Sequence, residues 1–299
     1  MELYGAVEAG GTKILAAVGS AGEEPLALER IPTTDPGETL DRIIRFFRAR
    51  ASEGLPIRAL GIGCFGPVDL DPDSSRWGFV TSTPKPRWQG ADVAGTLGRA
   101  LGVPVGFDTD VNAAALAEYR LGAAEGQDPT VYLTVGTGIG GGAVVNGKLL
   151  HGAAHPEMGH MLMSRRGDDA FPGSCPFHGS CWEGLASGPA VEARWGRPGE
   201  DLPPGHPAWD LEAWYLAQGI VNLLMVLSPR AVILGGGISQ VPGLINQVRS
   251  AAASLCAGYL DRPRTPAEWA RTIREPGLKI PGLTGAFLLA EDAADTKAQ

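Results

Sequence analysis

A strand, a glycine-rich turn and a second strand occur twice in this chain, at residues 4–18 and at 131–145. In the first copy Tyr4-Gly5-Ala6-Val7 and Ile14-Leu15-Ala16-Ala17-Val18 flank Glu8-Ala9-Gly10-Gly11-Thr12-Lys13. In the second, Val131–Val135 and Ala143–Val145 flank Gly136–Gly142. Short apolar runs bounded by glycine read as buried strands, and an echo of this kind predicts a duplicated fold, two halves with a cleft between them. Helical segments alternate with these strands. Leu40, Ile43, Ile44 and Phe47 share one helical face, introduced by Asp35 as N-cap, Pro36 at the first helical position and Glu38 as the acid at N3. Ala59–Phe65 is a buried strand ended by Gly66-Pro67, and Asp69–Trp88 a long functional loop. Val103–Phe107 is a strand that runs through Asp108-Thr109-Asp110 into a helix from about Val111 to Leu121. His155–Glu183 is irregular and Arg197–His206 is a Pro/Gly linker. Two helices then lead to the strand Ala231–Leu234, to Gly235-Gly236-Gly237, and to a helix reaching Cys256. The tail Gly285–Asp292 reads as helix. Strands alternating with helices put the chain in the α/β class.

The three glycine loops are candidate anion sites, because backbone N–H groups approach phosphate best where no Cβ intervenes. None matches the commonest nucleotide motifs. Gly5-x-x-x-x-Gly10-Gly11-Thr12-Lys13 approximates a Walker A loop, but two residues separate the second glycine from the lysine, and a strand follows where a helix is required. Gly136-Thr137-Gly138-Ile139-Gly140-Gly141 contains G-x-G-x-x-G, again before a strand, so the dinucleotide reading fails. Gly235–Gly237 does lie between a strand and a helix, which suits a nucleotide. Each loop alone reads as a tight turn; three in one chain point to nucleotide binding.

His160, Cys175, His178 and Cys181 form H-x14-C-x2-H-x2-C, a donor set and spacing that suit tetrahedral Zn²⁺. The alternative is a Cys175–Cys181 disulfide, disfavoured in a cytoplasmic chain. Four protein ligands leave no open position, so such a zinc is expected to be structural. Cys64 and Cys256 read as core residues and His206 as a solvated linker residue; His155 is either unremarkable or in contact with substrate. With 25 basic and 33 acidic residues the net charge is −8, which argues against nucleic acid or an anionic membrane as partner. Neither a signal peptide nor an apolar run of membrane-spanning length is legible, so a cytoplasmic location is expected.

Taken together and in order, Glu8-Ala9-Gly10-Gly11-Thr12-Lys13, Asp108-Thr109-Asp110-Val111-Asn112-Ala113-Ala114, Gly136–Gly141 and Leu234-Gly235-Gly236-Gly237 resemble the ROK family of sugar kinases and repressors over residues 5 to about 292. Cys175-Pro176-Phe177-His178-Gly179-x-Cys181-x-Glu183-Gly184 resembles its bacterial fructokinase branch. The resemblance implies an actin-like, ribonuclease-H-like two-domain ATPase fold with ATP and sugar in the cleft. Residues 1–112 would form the smaller domain, with a C-terminal helix at about 285–299 packing back on it, and 113–284 the larger domain carrying the zinc loop.

It also implies roles. From the residues alone Asp110 reads as a helix N-cap; the resemblance makes it the catalytic base, with Asp108 a supporting acid. Asn112, Glu157, Glu183, Gly66 and Pro67 would bind sugar, with His160 shared between sugar and zinc. Gly10, Gly11, Thr12, Lys13, Gly136, Thr137 and Gly138 would hold the phosphates of ATP, and Pro189 with Gly235, Gly236 and Gly237 would border the adenosine. Mg²⁺ would accompany ATP, with Glu8 orienting it through water. Thr83-Pro84-Lys85-Pro86-Arg87-Trp88 matches a family loop except that Arg87 replaces a glycine, and Trp88 reads equally as packing or sugar contact. The expected activity is transfer from ATP to O6 of a hexose, D-fructose first, in a homodimer. A kinase for glucose, mannose or an N-acetylhexosamine is the neighbouring reading. A repressor would need a helix-turn-helix ahead of Gly5, for which no room is expected, and a silent sugar sensor would lack the base or the phosphate loops.

Overall fold

The computed structural model describes residues 2–296. Along the chain the first elements are β1 (Tyr4–Ala9), β2 (Lys13–Gly19), β3 (Ala27–Pro32), α1 (Pro36–Ser52), β4 (Leu60–Cys64), α2 (Val93–Leu101), β5 (Val105–Thr109) and α3 (Asp110–Leu121). They are followed by β6 (Thr130–Val135), β7 (Ile139–Val145), β8 (Lys148–Leu149), α4 (Trp182–Ala186), α5 (Gly188–Trp195) and α6 (Ala208–Leu227). The last are β9 (Ala231–Gly235), α7 (Leu244–Cys256), α8 (Pro266–Thr272), β10 (Ile273–Arg274) and α9 (Pro281–Thr296). They fall into two compact units. One comprises residues up to Leu121 together with Leu149–Pro156 and the segment from Leu278; the other comprises Gly122–Lys148 and Glu157–Gly277.

The two units repeat one strand plan. The first sheet has the order β3-β2-β1-β4-β5 and the second β10-β9-β6-β7-β8. In each, the central strand pairs antiparallel with its hairpin partner, Val7 opposite Ala16 and Leu133 opposite Gly141. On its other side it pairs parallel, Val7 with Ile62 and Leu133 with Leu234. The internal echo at residues 4–18 and 131–145 is thus the repeated centre of two sheets.

In the first unit, alternation along the strands splits the core in two. Val7, Ile14, Ala16, Val18 and Ile62 pack with Ile43 and Phe47 of α1 and Leu97 of α2. Ala6, Leu15 and Ala17 pack with Leu283, Ala286 and Phe287 of α9. The period-2 pattern of a strand sends successive side chains to opposite faces, so the buried residues of β1 and β2 meet helices on both faces of the sheet. α9 approaches so closely that glycine is required beneath it: a Cβ on Gly61 of β4 would overlap the Ala286 carbonyl oxygen, and one on Gly106 of β5 that of Leu289. At the start of α9 the Glu8 carboxylate accepts the Leu283 N–H. Burial raises its pKa against the opposing pull of Lys13, and its Oε2 has no partner among the described residues.

Several elements differ from the sequence reading. β3 was not expected because it is an edge strand in which only Ile31 is buried, and α2 because its nine residues include Gly95 and Gly98. A single helix of 20 residues, α6, stands where two were expected. α8 is announced by a capping box between Thr265 and Glu268, and the backbone N–H groups of Thr265 and Arg264 hold the half-buried Glu268 carboxyl down to about 2. Among the described residues no helix is long and apolar enough to cross a membrane.

Candidate active site

In the first unit, β1 and β2 form a hairpin whose turn carries Gly10, Gly11 and Thr12, with Lys13 opening β2. The Gly10 N–H donates to the Lys13 carbonyl at 3.1 Å and Thr33 Oγ1 to the Gly10 carbonyl at 2.8 Å, so the turn is fixed from within. Gly11, Thr12 and Lys13 are exposed. Lys85 Nζ donates to the Gly11 carbonyl. Trp88 is fully buried and its indole N–H donates to the Thr34 carbonyl at 2.8 Å, which settles it as a packing residue. Arg87 occupies the position of the expected glycine at φ 68, a left-handed backbone, and pairs with Asp35 at 3.3 Å.

Asp110 begins α3 at the carboxyl end of β5, where the chain leaves a buried strand for a helix. It is half-buried, and its Oδ1 accepts the Val111 N–H at 2.9 Å. Two residues earlier Asp108 is buried at 2% exposure. Its Oδ1 accepts from Thr109 N and from Asn112 Nδ2, both at 2.7 Å, and its Oδ2 meets His151 Nε2 at 2.8 Å. Asn112 is itself buried, with its N–H on Thr109 Oγ1 at 3.1 Å. The supporting acid of the sequence reading is therefore held by three partners, and His151 joins the cluster without having been singled out for it. His155 is buried too. Its Nε2 accepts the Val68 N–H at 3.0 Å, one residue beyond Gly66-Pro67.

In the second unit Gly136, Thr137, Gly138, Glu183, Pro189 and Gly236 lie at or beside the β6–β7 turn. The Gly136 N–H donates to the Gly138 carbonyl at 2.9 Å, and the Gly136 carbonyl accepts from Gly188 N at 2.7 Å, which places Gly136, Thr137 and Gly138 beside the start of α5 and Pro189. Thr137 and Pro189 are exposed. Glu183 Oε2 accepts the Ile139 N–H at 3.0 Å, so one of its oxygens is already committed to the turn. Gly236, at φ 89, lies against the Val135 backbone. The third loop differs from expectation in its continuation: Gly235 and Gly236 lead to Gly237 and a 3-10 turn, Ile238–Gln240, before α7 begins. His206 also differs. Its Nδ1 accepts the Ala208 N–H at 3.1 Å at the start of α6, and its ring meets Trp195 edge-on.

His160, Cys175, His178 and Cys181 bring their donor atoms to within 4.8 Å of one another. Cys175 Sγ lies 3.8 Å from Nδ1 of both His160 and His178, and Cys181 Sγ 3.5 Å from His160 Nδ1. A tetrahedron with Zn–S of about 2.3 Å and Zn–N of about 2.0–2.1 Å has S···N edges of roughly 3.5 Å, so the spacing fits that ion. The turn closes through the Gly179 N–H to the Cys175 carbonyl at 2.9 Å. Both thiols are free rather than bridged. Burial raises the Cys181 thiol to about 11, and the adjacent Cys175 also raises it; a cation is what would hold this pair as thiolates. His160 meets the cluster with Nδ1 and follows Glu157 on a 3-10 turn, Met158–His160. Glu157 is exposed.

The ROK family profile matches residues 4–293. The fructokinase of Zymomonas mobilis subsp. mobilis is 44% identical over 294 residues, which cover 97% of this chain and 96% of that protein. The fructokinase of Lactococcus lactis subsp. cremoris is 40% identical over 277 residues, covering 92% and 93%. A solved ROK family glucokinase from Streptomyces griseus, in complex with glucose and AMPPNP, aligns with a TM-score of 0.77 at 29% identity over 97% of this chain and 99% of that one. The duplicated sheets are those of an actin-like kinase fold, and with a match running from β1 into α9 the chain belongs to the ROK family.

Proposed function

We propose that this chain is an ATP:hexose 6-phosphotransferase whose preferred sugar is D-fructose. The observation that carries the reading is the identity of 38–44% to five proteins of the fructokinase group over at least 88% of this chain. Asp110 takes the proton of the sugar O6 hydroxyl. O6 then bonds to the γ-phosphorus as the bond from that phosphorus to the β-bridging oxygen breaks, and ADP leaves with that electron pair. Phosphoryl transfer of this kind asks a protein for position and charge more than for covalent chemistry.

Gly10, Gly11, Thr12, Lys13, Gly136, Thr137 and Gly138 would hold the phosphates, while Pro189 and Gly235–Gly237 would border the adenosine. Bound Mg²⁺ supplies countercharge to the phosphate oxygens; Glu8, through its Oε2, is the residue that would orient it by way of water. Glu157, the second oxygen of Glu183, His160, Asn112 and the Gly66-Pro67 backbone bind the sugar hydroxyls. Carboxylates suit this because each accepts more than one hydroxyl hydrogen. His160, Cys175, His178 and Cys181 would hold a structural Zn²⁺, which fixes the loop between Glu157 and Glu183 and leaves His160 Nε2 for substrate.

The test is a coupled assay of ADP release with ATP and Mg²⁺ against fructose, mannose, glucose and N-acetylglucosamine, each alone. Fructose is expected to give the highest kcat/KM by a wide margin. A different winner would leave the kinase chemistry and overturn the substrate, and no turnover with any sugar would overturn both.

A further inference from the structure

We propose that His151 is a positioning residue, acting through its ion pair with Asp108 to fix the strand-to-helix junction that presents Asp110 and Asn112. The inference rests on the reading of Asp110 as base. Its grounds are geometric. Asp108 is a carboxylate with only 3% of its side chain exposed. Three donors converge on it, from Thr109, Asn112 and His151. Two of those donors belong to the junction itself, one on each side of Asp110. His151 is the only one of the three that can carry charge.

A buried carboxylate without a countercharge is strongly destabilised, and the usual remedy is to pair it or to take up a proton. Either loss would reach the junction. A protonated Asp108 would accept less well from Asn112 Nδ2, and an uncompensated one would add negative charge two residues from the atom that must receive a proton while phosphate oxygens arrive. The imidazolium prevents both. The hydrogen bond to Asp108 raises the His151 pKa above the ordinary histidine range, against the opposing pull of burial. The titratable groups that bear on it are Asp108 from β5 and His155 from its own segment. His155 is held neutral by burial, so it does not compete.

Neutral imidazole can still donate from Nε2. Raising the pH therefore removes the charge and keeps the hydrogen bond, and a glutamine at the same position does likewise. The experiment combines two readouts on the full chain: the NMR titration of the His151 ring in wild type and Asp108→Asn, and the pH profile of kcat in wild type and His151→Gln. His151 is expected to titrate above the ordinary range and to return to it in Asp108→Asn. Wild-type kcat is expected to fall as pH rises through that value. His151→Gln should lack this limb and run at the wild-type alkaline plateau, lower around neutral pH by on the order of tenfold, the factor that one pK unit of charge interaction represents. The inference is overturned if His151 titrates at the ordinary value, or if His151→Gln keeps the wild-type kcat and the same alkaline limb. Full turnover in Asp110→Asn would bring down the base assignment instead, while the titration would still report on the pair.

Discussion

His155 accepts the Val68 N–H through Nε2 at 3.0 Å, so that nitrogen of a buried histidine carries no proton. A proton on Nε2 would need the same lone pair. Burial lowers the His155 pKa, opposed by its contact with the Pro156 carbonyl and by Asp108. For a histidine with a lowered folded pKa, the unfolded chain binds protons first. The stabilisation is complete above the unfolded value and is lost as pH falls through the folded one. Urea unfolding at stepped pH should show wild-type stability declining below the ordinary histidine range, with a smaller decline in His155→Gln. Equal slopes in the two proteins would show that His155 is not the titrating group.

Replacing Asp110 with asparagine should leave the fold intact and reduce kcat by about 10²–10⁴-fold, the range in which a positioned base contributes. Hexose binding measured by calorimetry should change little. Near-normal turnover in this variant would return Asp110 to the role of helix N-cap.

Gly61→Ala tests the seat of α9. The added methyl would meet the Ala286 carbonyl oxygen, and backbone cannot move aside as a side chain can. Overpacking of this type costs about 1–3 kcal/mol, occasionally more, which for a protein of this size is a Tm lower by several degrees. An unchanged Tm would mean that α9 is not held where it is described.

Native protein should carry a single zinc ion per chain by elemental analysis, and Cys181→Ser should lose it. Because a structural ion lends its binding energy to the fold, chelation should lower Tm before it alters the affinity for nucleotide. Metal-free native protein with unchanged melting would refute the zinc assignment.

Much of the fold was legible because it is written in runs of residues. The paired strands at 4–18 and 131–145 announced themselves by apolar text interrupted by glycine, and the His160, Cys175, His178 and Cys181 cluster by its spacing. What escaped was carried by single long-range partners. His151 and Asp108 are 43 residues apart, and nothing local marks the histidine as belonging to that carboxylate. β3 escaped because Ile31 is its one buried residue, and α2 because its glycines hide the helical period. Glu183 was read as a sugar ligand, but only the fold reveals that one of its oxygens is taken by the Ile139 amide. Arg87 departs from the expected glycine in residue type and yet adopts the left-handed backbone that glycine favours.

The first unit is assembled from three stretches of chain, and its covering helix α9 is the last of them. On the ribosome, β1, β2 and β4 emerge early with one face bare, and Ala6, Leu15 and Ala17 have no helix to meet until Phe287 has been added. The second unit has all of its segments once Gly277 is out. Synthesis therefore completes the units in the reverse of their order of appearance, and the half that carries Asp110 is finished only when translation has passed Thr296.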